Sequence, residues 1–334
     1  MSPLPGPVLE LLTRSGLLGP GERPPSELFT GGVSSDIWRV DLARGPVCVK
    51  RARAKLKVTQ EWYVPVRRNA SEVDWYETVA GIVPKAVPRV LAHDPAAGFF
   101  VMEYLPPASN RSWKEELRQG HANPAFAARV GADLARIHSA TGANAEMAAR
   151  FATDEVFHAI RLEPYLAATA TVHPDLQDRL MELYRITAEN RHAVVHGDVS
   201  PKNILIGPDG PIFIDAECAW YGDPAFDLAF CLKHFLLKCL WTPPARTGFL
   251  ACFDAMIDAY EPDIPGQNPA AIKTRIAHLL PGLFLGRVDG KSPVEYVTRE
   301  EDKNRVRRCA RRLLVDPVNT PAEVRMAWAE ELET

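Results

Sequence analysis

A chain of 334 residues, 46% of them hydrophobic and 24% charged, has enough apolar side chain for a sizeable core and is too long for a peptide-like fold. Its formal net charge of −3 excludes a protein whose main business is coating nucleic acid or an anionic membrane, so any basic site must be local. The six cysteines form no C-x-x-C pair, which fits free thiols in a reducing compartment. Residues 7–18 predict a short helix, stopped by Gly19-Pro20-Gly21, with no basic stretch and apolar core of a secretory signal, so the expected location is the cytoplasm. Ile37 to Leu42 alternates apolar and polar side chains, Arg44-Gly45-Pro46 turns, and Val47 to Lys50 runs back, the pattern of an antiparallel hairpin.

Val73, Tyr76, Val79 and Ala80 fall at helical spacing and predict a helix over 69–80. Val87 to Leu91 and Gly98 to Tyr104 supply two more strands. Beyond the Leu105-Pro106-Pro107 turn the pattern becomes helical, as in Phe126, Val130, Leu134 and Ile137. An α+β fold of two lobes follows: a small antiparallel-sheet lobe over 1–105 and a larger, mainly helical lobe over 106–334, with a cleft between them. Phe226 to Trp241 is strongly apolar but contains Lys233, His234 and Lys238, so it predicts a core-facing helix instead of a membrane span.

Between two apolar strands, Val194-Val195 and Ile204-Leu205-Ile206, lies His196-Gly197-Asp198-Val199-Ser200-Pro201-Lys202-Asn203, and the next strand ends at Asp215. The spacing H-x-D-x-x-x-x-N followed by a strand-end carboxylate is what phosphoryl transfer requires. Asp198 would orient an acceptor hydroxyl and take its proton. Asn203 and Asp215 would offer hard oxygen ligands to Mg²⁺ held jointly with nucleotide phosphates.

These residues resemble the aminoglycoside phosphotransferase and choline kinase group of small-molecule kinases, whose fold is protein-kinase-like, over roughly residues 28–240. The resemblance implies that Lys50 holds the α- and β-phosphates of ATP, with Glu72 as its ion-pair partner. It also implies that Gly31, Gly32, Ser34 and Ser35 form the turn covering the nucleotide, and that Glu103 and Tyr104, within a Met102–Leu105 hinge, meet adenine through their backbone. Asp215-Ala216-Glu217, with Phe226-Asp227 beyond it, is similar to the corresponding segment of methylthioribose kinases. Glu217 would touch a second metal, the substrate or nearby backbone; His196 and Asp227 would brace the catalytic loop.

His-Gly-Asp and Asp-Ala-Glu stand where protein kinases have His-Arg-Asp and Asp-Phe-Gly, and no activation loop is recognisable, so the acceptor implied is a small molecule. The expected function is therefore an ATP- and Mg²⁺-dependent kinase acting on a hydroxyl of a metabolite or antibiotic, with no nucleic-acid or membrane partner. The alternative is a catalytically silent nucleotide-binding module on the same fold. Two basic runs stand apart from the motifs. Lys50 to Lys57 reads as a solvated face beyond Lys50 itself. From Arg287 to Arg312, nine Lys/Arg against five Asp/Glu give a net +4, read either as an exposed helix of i, i+4 pairs or as part of a pocket wall. In the second case Arg287 and Lys291 would contact the acceptor, and a polycationic acceptor would be disfavoured.

Overall fold

A computed structural model describes residues 4–29, 35–53 and 68–334. The chain opens with helix α1 (Gly6–Arg14), then five strands, β1 (Ser26–Leu28), β2 (Ser35–Leu42), β3 (Gly45–Ala52), β4 (Val90–Asp94) and β5 (Phe99–Glu103), which pair antiparallel in the order β1-β2-β3-β5-β4. The predicted hairpin is β2–β3, closed by a tight turn that pairs Leu42 with Gly45, where φ of +112° suits glycine. β1 is a three-residue strand that the alternation pattern is too short to reveal. β4 starts at Val90 instead of the expected Val87, because Pro88 has no N–H for the ladder.

Strand alternation decides what each face of β3 does. Val47 and Val49 join Trp38, Val40 and Val101 in a small core that α1 closes with Val8, Leu11 and Leu12. Cys48 and Lys50 face the opposite way, toward helix α2 (Arg68–Ala80). There Trp75, Tyr76 and Val79, with Phe100 of β5, belong to the same apolar cluster as the helical part of the chain. The sheet is thus tied to the rest of the molecule by α2, whose Trp75 meets the His196 ring edge-on with centroids 4.8 Å apart.

Past Leu105 the chain is mostly helical, as predicted, but short strands frame the loop at residues 196–203. β6 (Arg111–Ser112), β8 (Ile204–Gly207) and β9 (Gly210–Phe213) form one antiparallel sheet, and β7 (Ala193–Val195) pairs with β10 (Trp220–Gly222). The apolar stretch forms the helix Pro224–Trp241, buried along nearly its whole length, Lys233 and Lys238 included. Among the described residues no helix is long and apolar enough to cross a membrane.

Residues His158–Ala167 form a π-helical segment with Pro164 inside it. Proline lacks a backbone N–H, and a wider turn accommodates that loss. The helix Pro269–Asp289 approaches this segment at Gly286, where any Cβ would come within 2.5 Å of the Tyr165 carbonyl oxygen. The basic helix Glu300–Val315 settles one of the two readings above. Arg307 pairs with Asp289 at 2.7 Å, Arg308 with Glu331 at 2.5 Å, and Arg311 with Asp175, so this part of the run is a solvated, paired surface and no pocket wall.

Candidate active site

Lys50 Nζ lies 2.7 Å from a Glu72 carboxylate oxygen and 2.5 Å from Asp215 Oδ1. Lys50 is buried because it points off β3 under α2, and Glu72 meets it from the first turns of that helix. Burial works against the ammonium, yet Asp215 and Glu72 outweigh it and hold the Lys50 pKa above the ordinary lysine value. Burial pushes the Glu72 carboxyl up to about 7, against the pull of Lys50. One helical turn on from Glu72, the Tyr76 hydroxyl donates to Glu72 Oε1 at 2.8 Å and accepts from the Asp215 N–H at 2.9 Å. Asp215 has φ of +65°, uncommon for a non-glycine residue, and the Tyr76 bond helps to hold it there.

The loop after β7 is pinned from below by Asp227, whose two carboxylate oxygens accept the N–H groups of His196 (2.8 Å) and Gly197 (2.9 Å). His196 Nε2 lies 3.1 Å from the Ile214 carbonyl, and Asp198 N donates to His196 Nδ1 at 3.1 Å. Both residues brace the loop, as the sequence implies. Gly197 sits at φ +75° with the Cys218 carbonyl oxygen 2.5 Å from where a Cβ would be. Gly197→Ala is therefore expected to cost more than about 1 kcal/mol from left-handed backbone alone, with the clash added. Thermal denaturation should show a midpoint several degrees lower, together with reduced turnover.

Asn203 Nδ2 donates to the Asp198 carbonyl at 3.1 Å, which spends the amide nitrogen inside the loop and leaves Oδ1 as the available oxygen. The Asp198 carboxylate receives Arg161 Nη2 at 2.7 Å and Lys202 Nζ at 3.2 Å. Burial alone would raise the Asp198 pKa; Arg161 and Lys202 overcome it and keep the carboxyl below its usual range. Arg161 also donates Nε to the Gly197 carbonyl at 2.5 Å. The sequence motifs give no sign of this residue. Its one signal is an arginine buried in the apolar window of Ile160, Leu162 and Tyr165.

Two cavities meet at this loop. One, of about 550 Å³, lies under the sheet, lined by Ser35, Cys48, Lys50, Met102, Asn203 and Asp215. The Ser35 hydroxyl is buried with no hydrogen-bond partner among the described residues. Glu103 and Tyr104 line this cavity at the end of β5, where Glu103 exchanges hydrogen bonds with Arg89 and the Arg39 guanidinium covers the Tyr104 ring. Gly31, Gly32 and Ser34 lie outside the described residues. The other cavity, of about 290 Å³, is lined by Arg161, Tyr165, Asp198, Glu217, Lys238 and Arg287 among others, and Lys202 and Asp215 line both. Glu217, for which three partners were open, is buried and pairs with Arg68 at 2.9 Å. Arg287 lines the second cavity. Lys291 does not: it pairs with Glu163 at 2.5 Å on the surface, beyond the turn that directs Arg287 inward.

The family model described as the phosphotransferase enzyme family matches residues 26–263. The chain belongs to this family. Among curated relatives, the methylthioribose kinase of Pectobacterium atrosepticum is 27% identical over 223 residues, 58% of this chain and 54% of that protein. That of Yersinia pseudotuberculosis is 26% identical over 218 residues. The chain spans about half the length of the curated relatives it matches. Among solved structures, an amicoumacin kinase in complex with AMP-PNP and Ca²⁺ superposes with a TM-score of 0.54 at 15% identity, covering 89% of this chain and 90% of that one. An ethanolamine kinase of Plasmodium vivax gives 0.50 at 11% identity, over 95% and 85%. These likenesses establish a bilobal, kinase-like α+β fold for this phosphotransferase family member.

Proposed function

We propose that this protein is an ATP- and Mg²⁺-dependent kinase that transfers the γ-phosphoryl group to a hydroxyl of a small molecule, with the lobe boundary near Leu105. The observation that carries the reading is the meeting of the two cavities. Asp198 faces the smaller one, while Lys50, Asn203 and Ser35 face the larger, and Asp215 and Lys202 stand where they join.

The donor set fits Mg²⁺ and a nucleotide. Asn203 Oδ1 and the Asp215 carboxylate are hard oxygens, and the unpartnered Ser35 hydroxyl is free to donate to a phosphate oxygen. Met102 to Leu105, with Pro88 and Leu205, offer an apolar slot for a base. Bound at Asn203 and Asp215, Mg²⁺ would neutralise phosphate charge.

In the reaction, Lys50, oriented by Glu72, balances negative charge on the donor phosphates. Asp198 accepts the hydroxyl proton as the acceptor oxygen bonds to the γ-phosphorus and the bond from that phosphorus to the bridging oxygen breaks, releasing ADP. Arg161 holds the Asp198 carboxylate ionised and aimed, and Lys202 at the seam stabilises charge on the transferring group. Every group this chemistry needs has a place, which favours an active enzyme over a silent binding module.

ATP-consumption screening against alcohols of differing charge tests the reading; no Mg²⁺-dependent transfer to any acceptor would refute it. Asp215→Ala is expected to weaken Mg·ATP binding by at least about tenfold, since a charged ligand oxygen contributes on the order of 1.5–3 kcal/mol. Nucleotide titrations with and without Mg²⁺ read this out, and an unchanged metal dependence would remove Asp215 from the ligand set.

A further inference from the structure

The charges of the smaller cavity do not balance. Each of its four carboxylates is already held by a cation: Asp198 by Arg161 and Lys202, Asp215 by Lys50, Glu217 by Arg68, and Glu295 by Lys114 at 2.5 Å. Two further cations line the same cavity, Arg287 and Lys238, and neither has a carboxylate partner among the described residues. Among the described residues Arg287, nine-tenths buried, donates only from Nη1, to the Tyr165 hydroxyl at 3.2 Å, to Ser292 Oγ at 3.0 Å and to the Ser292 carbonyl, while its buried Nε has no partner. Lys238, 1% exposed, has no side-chain hydrogen bond among the described residues; its ammonium rests against the Trp241 and Tyr296 rings, 4.4 and 5.2 Å from their centroids. Behind the Phe230 wall, the ammonium of Lys233 is fully buried with no hydrogen-bond partner among the described residues.

A buried, unpaired cation is costly, and the cost is relieved either by loss of its proton or by an anion that meets it. Burial, with repulsion from Lys114 added, pushes Lys238 down to about 7, because Glu295 and Glu115 offset it only in part and neither forms an ion pair with it. An arriving ammonium, by contrast, would find every carboxylate taken.

We infer that the acceptor is an anionic alcohol: a small molecule whose carboxylate or phosphate sits on Arg287 and Lys238 while its hydroxyl is turned to Asp198. This rests on the kinase reading and specifies its substrate class. Arg287 presents a planar donor set and Lys238 a point charge, a pairing suited to an oxyanion of either kind. Tyr165 and Tyr296 line the same cavity.

The test is calorimetric binding to the full chain with Mg·ADP present, using two matched series. One is glycerol, 3-amino-1,2-propanediol, glycerate and glycerol 3-phosphate; the other is glucose, glucosamine, gluconate and glucose 6-phosphate. At least one anion is expected to bind at least about tenfold more tightly than its neutral and amine counterparts, and the carboxylate and phosphate arms separate the two oxyanions. Arg287→Gln should erase that preference. Arg287 also anchors Ser292, so Lys238→Met, which breaks no hydrogen bond, is the second variant, and unchanged Mg·ADP affinity shows that each has folded. Loss of the preference in either variant supports the proposal. Tightest binding by an amine, no preference for an anion in either series, or an anion preference intact in both variants overturns it. Phosphoryl transfer is scored separately. Transfer to an amine or neutral compound alone would keep the kinase and sink the anionic acceptor, whereas anion binding without any transfer would keep the site and sink the kinase.

Discussion

Asp198→Asn should leave nucleotide affinity nearly intact and lower turnover by roughly 10²- to 10⁴-fold, the usual contribution of a positioned general base. The substitution keeps the side chain's shape while removing the carboxylate proposed to take the hydroxyl proton. Nucleotide contacts survive because Lys50, Asn203 and Asp215 are untouched, and the Asn203 bond runs to the Asp198 main-chain carbonyl. Arg161 loses its anion, so part of the defect will come from an arginine left unpaired below the loop. Steady-state kinetics beside an ATP titration separate these effects. Comparable turnover in the variant would remove Asp198 from its assigned role.

Lys50→Met is expected to do two kinds of damage. Without the ammonium the ATP requirement rises and turnover falls, because charge on the donor phosphates goes unbalanced. The same change strands Glu72, 1% exposed, beside Asp215, and removing one partner of a buried ion pair commonly costs about 3–5 kcal/mol. Adding Glu72→Gln should restore much of that stability while activity stays lost, since the neutral amide can still bond Tyr76. Denaturant unfolding and ATP kinetics on the single and double variants read the two effects apart. An unchanged ATP requirement in Lys50→Met would show that the phosphates lie elsewhere.

What could be read from the sequence was whatever the chain keeps local or in fixed order. Alternation around Lys50 marks a strand, helical spacing around Tyr76 marks α2, and the span from His196 to Asp215 carries its own punctuation of Gly, Pro and short apolar runs. Lys50 and Glu72 are 22 residues apart, and the intervening hairpin-to-helix order makes their meeting foreseeable. Arg161 was not foreseeable in this way. It reaches Asp198 across 37 residues only because a π-helical turn and the loop pinned by Asp227 happen to be packed together. Charge along the chain misled for a related reason. The basic helix finds its counter-ions on other elements, at Asp175, Asp289 and Glu331, so a net charge summed over the segment says little about the field in the cleft. Arg287 differs in having no ion-paired carboxylate among the described residues, a property that only tertiary packing defines.

The π-helical stretch at His158–Ala167 gives the smaller cavity an unusual dependence on residue count. Arg161 and Tyr165 both enter that cavity from it, and an α-helix turns by about 100° per residue. Removing a single residue near Pro164 while the backbone kept its wide turn would swing Arg161 about a quarter-turn from Asp198, while Tyr165, anchored against Gly286, stayed in place. The wall is therefore indexed like a gear with one extra tooth: swapping side chains within it alters chemistry at one point, but changing its length by one misaligns the support of the Asp198 carboxylate from the rest of the pocket.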